Sequence, residues 1–368
     1  MKVGILTFPN STSYGAALQM YALYCTVNRL GHRAEIINYY SKYMKAEKHC
    51  QPKGSSDLKY FLRRSARRVL HAREYAAFAA FEKETMNMYP QKFFTDKEKL
   101  PSVGTRYDAV ICGSDQVWNP DITGGDLSYF LDFCGDSTKR ISYAPSFGVE
   151  TLPKDFASHV GEELQQFSAI SVREVQGQAL VADLIGKDVP VVIDPTMLLD
   201  AAQWQQLEDE SFCVEEDYVL YFTVKSSPRL FEKCRSFAQQ HGLKMIVIGG
   251  NCMRKEKDPI VRHAVDISPA VWLWLVRHAR YVVTNSFHGT AFSIIFERDF
   301  YLELSAKTNS RLTNIVKMLG LEERILPFEQ EIVASSANYD AARENLPCLR
   351  ADALQYLQQA LCEDGAHG

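Results

Sequence analysis

A chain of 368 residues exceeds the size at which one hydrophobic core keeps growing, so two domains with a cleft between them are the expectation. With 46% hydrophobic and 23% charged residues it reads as an ordinary globular protein able to bury a sizeable core, and its formal charge of -4 argues against a general nucleic-acid binder. Its nine cysteines include no C-x-x-C pair and look like reduced, buried small hydrophobes of a cytoplasmic protein.

Met1-Lys2 leads straight into a strand, Val3-Gly-Ile-Leu-Thr-Phe8, without a signal-type apolar region, and no run approaches 18 apolar residues. The expectation is a protein neither exported by a Sec-type signal nor membrane-spanning. After this strand a small-polar loop carries Asn10, Tyr14 and Gly15 before a helix begins; it lacks G-x-G-x-x-G, so no dinucleotide site is indicated. A ligand could approach such a loop closely, and a plain strand-to-helix turn with a serine cap explains it as well.

A second strand is expected over 34–39, then a long helical pattern from 57 to 87. Its first part is basic, with Arg63, Arg64, Arg67, Arg68 and Arg73 around Leu62, Val69 and Leu70. A charge run of this kind is usually a solvated face; the alternative is peripheral contact with an anionic membrane or a lipid-diphosphate-linked acceptor. Further strands are expected near 108–112, 140–144, 168–172 and 190–193. The strand Val110-Ile-Cys112 delivers Gly113, Ser114, Asp115, Gln116, Trp118 and Asn119 at its carboxyl end, a set suited to sugar hydroxyls, with Trp118 as a stacking face and Asp115 as a base. A turn capped by Asp115 is the rival reading. Arg173 emerges directly after Ala169-Ile-Ser-Val172, where a planar bidentate grip on carboxylate or phosphate would serve an anionic substrate; an ion pair with Glu174 or another carboxylate is its alternative.

The Asp194-to-Asp200 segment and an acidic, helix-like stretch from Ala201 to Asp217 suggest a domain junction, giving domains 1–200 and 201–368. Strands resume at 218–224, 244–249, 281–284 and 300–304, and the residues from Asp340 to Cys362 read as terminal helices that cross back to brace the first domain. Alternation of strands and helices throughout predicts an α/β protein with two Rossmann-like domains and mostly parallel sheets. Lys225, Arg254 and Arg311 follow second-domain strands or turns, where loops should face the cleft. The run Tyr281-Val-Val-Thr284 breaks at Asn285-Ser286-Phe287-His288-Gly289 and re-enters an apolar helical pattern. His288 therefore stands at the start of a helix, whose unpaired N–H groups attract anions, and where a proton could be exchanged; a simple capping role is the bland reading.

Taken in order, Tyr14-Gly-Ala, Gly113-Ser-Asp-Gln-Val-Trp-Asn-Pro120, Ile141-Ser-Tyr-Ala-Pro-Ser-Phe-Gly148, Ser171-Val-Arg-Glu174, Val192-Ile-Asp-Pro-Thr196 and Asn285-Ser-Phe-His-Gly289 resemble the polysaccharide pyruvyl transferases over nearly the whole chain. The resemblance implies a two-domain GT-B-like architecture that binds phosphoenolpyruvate in the interdomain cleft and forms a pyruvate ketal across two sugar hydroxyls, releasing phosphate. It carries over Arg173 and His288 as catalytic residues, with Asp115 beside them as the sequence suggests. The donor would meet Arg173, Ser286, Phe287, His288 and Gly289; the acceptor, free or lipid-linked, would meet Asn10, Tyr14, Gly15, Ser114, Asp115, Gln116, Trp118 and Asn119. Ser286 stands where the family can have arginine and Phe287 where it can have leucine, so Lys225, Arg254 and Arg311 are the alternatives for a second cationic contact. No cofactor or metal is expected, since ketal formation needs neither redox centre nor Lewis acid and no metal-ligand spacing is visible. Two other readings stand: a glycosyltransferase using a nucleotide-sugar donor, and a non-catalytic glycan- or anion-binding relative.

Overall fold

The computed structural model of the chain describes residues 1–44, 71–249, 258–304 and 310–362. The basic residues Arg63, Arg64, Arg67 and Arg68 lie outside the described residues, while Arg73 is exposed near the start of the helix Ala72–Thr85. The chain divides into two compact units, Met1–Leu198 with Arg350–Gly368, and Leu199–Leu349.

In the first unit β1 (Lys2–Leu6), β2 (Arg33–Tyr39), β3 (Met88–Phe94), β4 (Ala109–Cys112) and β5 (Lys139–Ser142) form a parallel sheet in the order β3-β2-β1-β4-β5. Central β1 and β4 are apolar on both faces because helices cover both sides of a parallel sheet, and Val3, Ile5, Val110 and Ile111 are wholly buried. The sequence pattern misses β3, whose Pro90, Gln91 and Lys92 interrupt any alternation; proline is tolerated because β3 is an edge strand. Conversely, the strands expected over 168–172 and 190–193 shrink to isolated bridges, Ile141 with Ala169 and Val172 with Val191. Pro190 has no N–H to donate, so pairing there consists of Val172 N–H to Pro190 O and Val192 N–H to Val172 O.

In the second unit β6 (Tyr218–Thr223), β7 (Lys244–Gly249), β8 (Val261–His263), β9 (Tyr281–Thr284) and β10 (Asp299–Leu302) make another parallel sheet in the order β10-β9-β6-β7-β8. The acidic stretch after Asp200 forms only the short helix Ala201–Gln205, started by an Asp200–Gln203 capping box. The terminal segment is one helix, Asp340–Leu361, that contains Pro347 and passes from the second unit into the first at Arg350. Within the first unit Arg350 Nε donates to Met197 O at 2.9 Å and Tyr356 Oη to Ser142 O at 2.7 Å, tying this helix to β5.

Both sheets share one topological property. In each, the first strand is flanked by its successor on one side and by a later strand on the other, so the chain reverses its direction of travel between β1 and β4 and between β6 and β9. Connections leave such a point in opposite directions and open a crevice at the carboxyl ends of the strands, where ligands of open α/β sheets bind.

Candidate functional site

At the carboxyl ends of β1 and β4 the backbone is strained. Asn10 and Asp115 are non-glycine residues with φ of 59° and 79°, and Ala144, after neighbouring β5, has φ of 53°. Left-handed backbone at residues with a Cβ persists only where surrounding contacts over-determine it, and such residues concentrate at functional sites. Here the contacts are visible. Asn10 N–H donates to Glu82, and its side-chain amide donates to Asn38 Oδ1 at 2.7 Å. Asp115 Oδ1 accepts from the N–H of Gln116 at 2.8 Å, while its backbone O accepts from Ser146 N–H.

Behind Asp115 lies a charge cluster. Arg173, whose side chain is 2% exposed, places Nη1 at 2.9 Å from Asp194 Oδ2, Nε at 3.8 Å from Glu174 Oε2 and Nη2 at 3.9 Å from Asp115 Oδ1. Burial works against the guanidinium charge, but Asp194, Glu174 and Asp115 outweigh it and hold its pKa above the ordinary arginine value. Ser146 Oγ donates to Glu174 Oε1 at 2.6 Å. The ion-pair reading of Arg173 is therefore present in the structure, with Asp194 rather than Glu174 as the close partner.

The other residues expected on the acceptor side divide sharply. Gln116 stays partly exposed, its Oε1 accepting from Asn119 Nδ2 at 2.9 Å. Ser114 is fully buried, its one hydroxyl proton shared between Ala144 O at 2.9 Å and Asp194 Oδ2 at 3.0 Å. Asn119 caps the helix Pro120–Thr123. Tyr14 and Gly15 are not loop residues: Ser13 caps the helix Tyr14–Arg29, so both lie in its first turn, Tyr14 packed 5.0 Å from the Phe78 ring. Trp118 is a correction. It is completely buried, its Nε1 donates to Tyr129 O at 3.0 Å, and Phe130, Phe147 and Phe167 surround its ring, so it has no face to offer a sugar. An aromatic six residues past a strand end can turn either way, and here the core claims its area.

At the carboxyl ends of β6 and β9 the chain builds a second polar corner. Ser286 caps the helix Phe287–Ile295 by accepting from Gly289 N–H, which leaves His288 in the first turn, 9% exposed, with the Phe287 ring edge-on at 5.2 Å. Thr284 Oγ1 donates to Phe222 O at 2.7 Å across the β6–β9 pair and accepts from Ser286 N–H at 3.0 Å. Gly289 packs against that hydroxyl so closely that a Cβ would run into it. Asn285, which the sequence reading left without a role, joins the two strand ends: its Oδ1 accepts from Val224 N–H at 3.0 Å and its Nδ2 donates to Lys225 O at 2.9 Å. Exposed Lys225 is thereby brought beside the His288 corner. Arg311 is half-buried in the first turn of the helix Ser310–Met318, and Arg254 lies outside the described residues. Asp194 was also missed as a functional candidate; its signal was the Asp-Pro-Thr sequence, in which Thr196 N–H and Oγ1 both return to Asp194 Oδ1.

Among the described residues, no group of three or more His, Cys, Asp or Glu side chains is arranged to hold a metal ion, and no helix is long and apolar enough to cross a membrane.

Comparison with known proteins adds three findings. The polysaccharide pyruvyl transferase family model matches residues 14–302. No curated protein sequence matches the chain. Among solved structures, the UDP-GlcNAc 2-epimerase of Methanocaldococcus jannaschii is similar with a TM-score of 0.50 at 10% identity, covering 99% of this chain and 94% of that one. Arabidopsis thaliana UGT89C1 (TM-score 0.46, 13% identity, 97% and 93% covered) and Anabaena Alr3699/HepE, solved with UDP and glucose (0.47, 11%, 98% and 98%), are also similar. The likeness to the epimerase is one of fold, and with the two parallel sheets it bears out the expected GT-B-like pair of α/β units.

Proposed function

The chain belongs to the polysaccharide pyruvyl transferase family, and from that premise we propose that it moves the enolpyruvyl group of phosphoenolpyruvate onto two hydroxyls of a saccharide in the cytoplasm, releasing phosphate. The observation that carries this reading is the Asn285–Gly289 corner: a histidine in the first turn of a helix, at the switch point of a parallel sheet, with a lysine drawn beside it.

Ketal formation requires a proton at C3 of the enol, which turns the methylene into a methyl group. A sugar oxygen bonds to C2 and its hydroxyl proton leaves; the C2–O bond to phosphate breaks, and a second hydroxyl closes the ring as it too gives up a proton. One proton enters and two leave, one of them balancing the first, the other carried off with phosphate. We assign the proton transfers to His288, a role that contributes a factor of about 10² to 10⁴ in rate. The helix N-terminus and Lys225 would meet the donor's negative charge, Lys225 ranking ahead of Arg311 because Asn285 ties it to the corner. Arg173 would contact the donor's carboxylate or phosphate, and Asp115, the most open member of its cluster, the acceptor. None of these steps calls on a metal, and chelation should leave turnover unchanged.

Titration calorimetry with phosphoenolpyruvate tests the reading, with UDP-GlcNAc and inorganic phosphate as comparators. Selective binding of phosphoenolpyruvate is expected. Binding of UDP-GlcNAc alone would move the protein to nucleotide-sugar chemistry, and tight phosphoenolpyruvate binding with no phosphate release on any acceptor would make it a binding relative.

A further inference from the structure

Arg173 is tightly anchored at Nη1. Its Nη1 meets Asp194 at 2.9 Å, whereas Glu174 and Asp115 stand at 3.8 and 3.9 Å, beyond hydrogen-bond range. Asp194 is itself immobilised: Ser114 Oγ donates to the same Oδ2 at 3.0 Å, and Thr196 N–H and Oγ1 donate to Oδ1 at 3.0 and 2.8 Å. A carboxylate that accepts from four donors keeps one orientation, and it holds the rigid fork of a guanidinium in the same way. The anchoring extends to the switch point. Ser114 O accepts from Thr7 Oγ1 at 3.0 Å and Thr7 Oγ1 accepts from Gln19 Nε2 at 2.8 Å, so the end of β1, the first helix and the end of β4 all bear on Asp194.

Side-chain exposure rises along the chain of charges, 0% at Asp194, 2% at Arg173 and 18% at Asp115. The cluster thus has a fixed, dry end and an open end. Glu174 belongs to the fixed end, since Ser146 holds it.

We infer that Asp194 is the positioning residue for Arg173: it grips the guanidinium from the core side and sets the direction from which the donor's carboxylate or phosphate is met, on the side of Asp115. The inference rests on the reading of Arg173 as a donor contact. Ser114 and Thr196 support Asp194, which explains why Ser114, expected beside a sugar, is sealed in the core instead.

The test is titration calorimetry of the full chain with phosphoenolpyruvate, with the thermal midpoint as the check of folding. Asp194→Asn leaves Glu174 and Asp115 to balance Arg173 and should weaken phosphoenolpyruvate binding at least about tenfold in folded protein, whereas Thr196→Val, which removes one donor to Asp194, should weaken it about two- to threefold. Wild-type affinity in both variants overturns the inference. Arg173→Lys separates it from the reading beneath: lysine can keep the pair with Asp194 but loses the fork. If Arg173→Lys binds phosphoenolpyruvate as the wild type does, the donor-contact reading falls and the inference with it; if Arg173→Lys loses binding and Asp194→Asn keeps it, the inference alone falls. One further measurement distinguishes the positioning role from a merely structural ion pair. Methylguanidinium should restore phosphoenolpyruvate binding to Arg173→Ala but not to Arg173→Ala with Asp194→Asn, because only the first retains the carboxylate that seats a guanidinium; equal restoration overturns the inference.

Discussion

Arg173 and Asp194 form a 2.9 Å ion pair in which neither side chain is more than 2% exposed. Breaking a buried pair by removing one partner leaves an uncompensated charge, so Arg173→Met should lower stability by about 3–5 kcal/mol. Combining it with Asp194→Asn should cost clearly less than the sum of the two single changes. Urea unfolding of the two singles and the double, read as a double-mutant cycle, measures this; simple additivity would mean the pair is not coupled.

His288 is the predicted proton shuttle. His288→Ala should reduce phosphate release by at least about a hundredfold while the thermal midpoint stays close to that of the wild type. Near-normal turnover would return His288 to a capping role.

Asp115 is the member of the charge cluster nearest solvent, 3.9 Å from Arg173 Nη2, and a donor anion arriving there meets its negative charge. Asp115→Asn should therefore tighten phosphoenolpyruvate binding by about threefold to tenfold at low salt, an effect that shrinks as ionic strength rises. Turnover with a saccharide acceptor should fall at the same time, since the acceptor loses its carboxylate. Calorimetry at two salt concentrations, beside a phosphate-release assay, reads both.

Gly289→Ala tests the corner's packing. The new methyl would collide with Thr284 Oγ1, and that hydroxyl cannot yield without disturbing its bonds to Phe222 O and Ser286 N–H. A loss of about 1–3 kcal/mol is expected from overpacking. Activity should drop more than stability alone explains, because His288 is the preceding residue.

Burial raises the pKa of the Asp132 carboxyl above the ordinary aspartate value of 3.8, with Lys97 partly opposing the shift. A raised carboxylate favours the folded state when protonated, so the stability it contributes is present below pH 3.8 and is lost as pH rises through the folded-state pKa. Asp132→Asn should consequently raise the thermal midpoint at pH 7, by only about 1 °C because solvent screens the site, and the gain should vanish under acid. A midpoint that falls at pH 7 would show that the carboxylate is held by favourable contacts instead.

The amino-acid sequence by itself determined the class of fold, the family, and the two polar corners. Buried parallel strands need apolar residues on both faces, so β1, β4, β6 and β9 stand out as apolar runs, and the polar break after β4 or β9 marks where the chain leaves the sheet. Elements without that pattern escaped. Edge strand β3 carries Pro90, Gln91 and Lys92, and β8 has three residues. Only the tertiary structure decided which polar residues at those corners face outward. Local sequence says that Ser114, Asp115, Gln116, Trp118 and Asn119 leave a strand together, but the partners that fix each of them come from elsewhere: Asp194 for Ser114, Tyr129 and three phenylalanines for Trp118. The same holds for Arg173, whose close partner stands 21 residues away in sequence, and for Lys225, which Asn285 reaches across 60 residues. Propensity and periodicity act over a few residues, whereas desolvation and charge pairing are properties of neighbours in space, and those neighbours exist only once the sheets have formed.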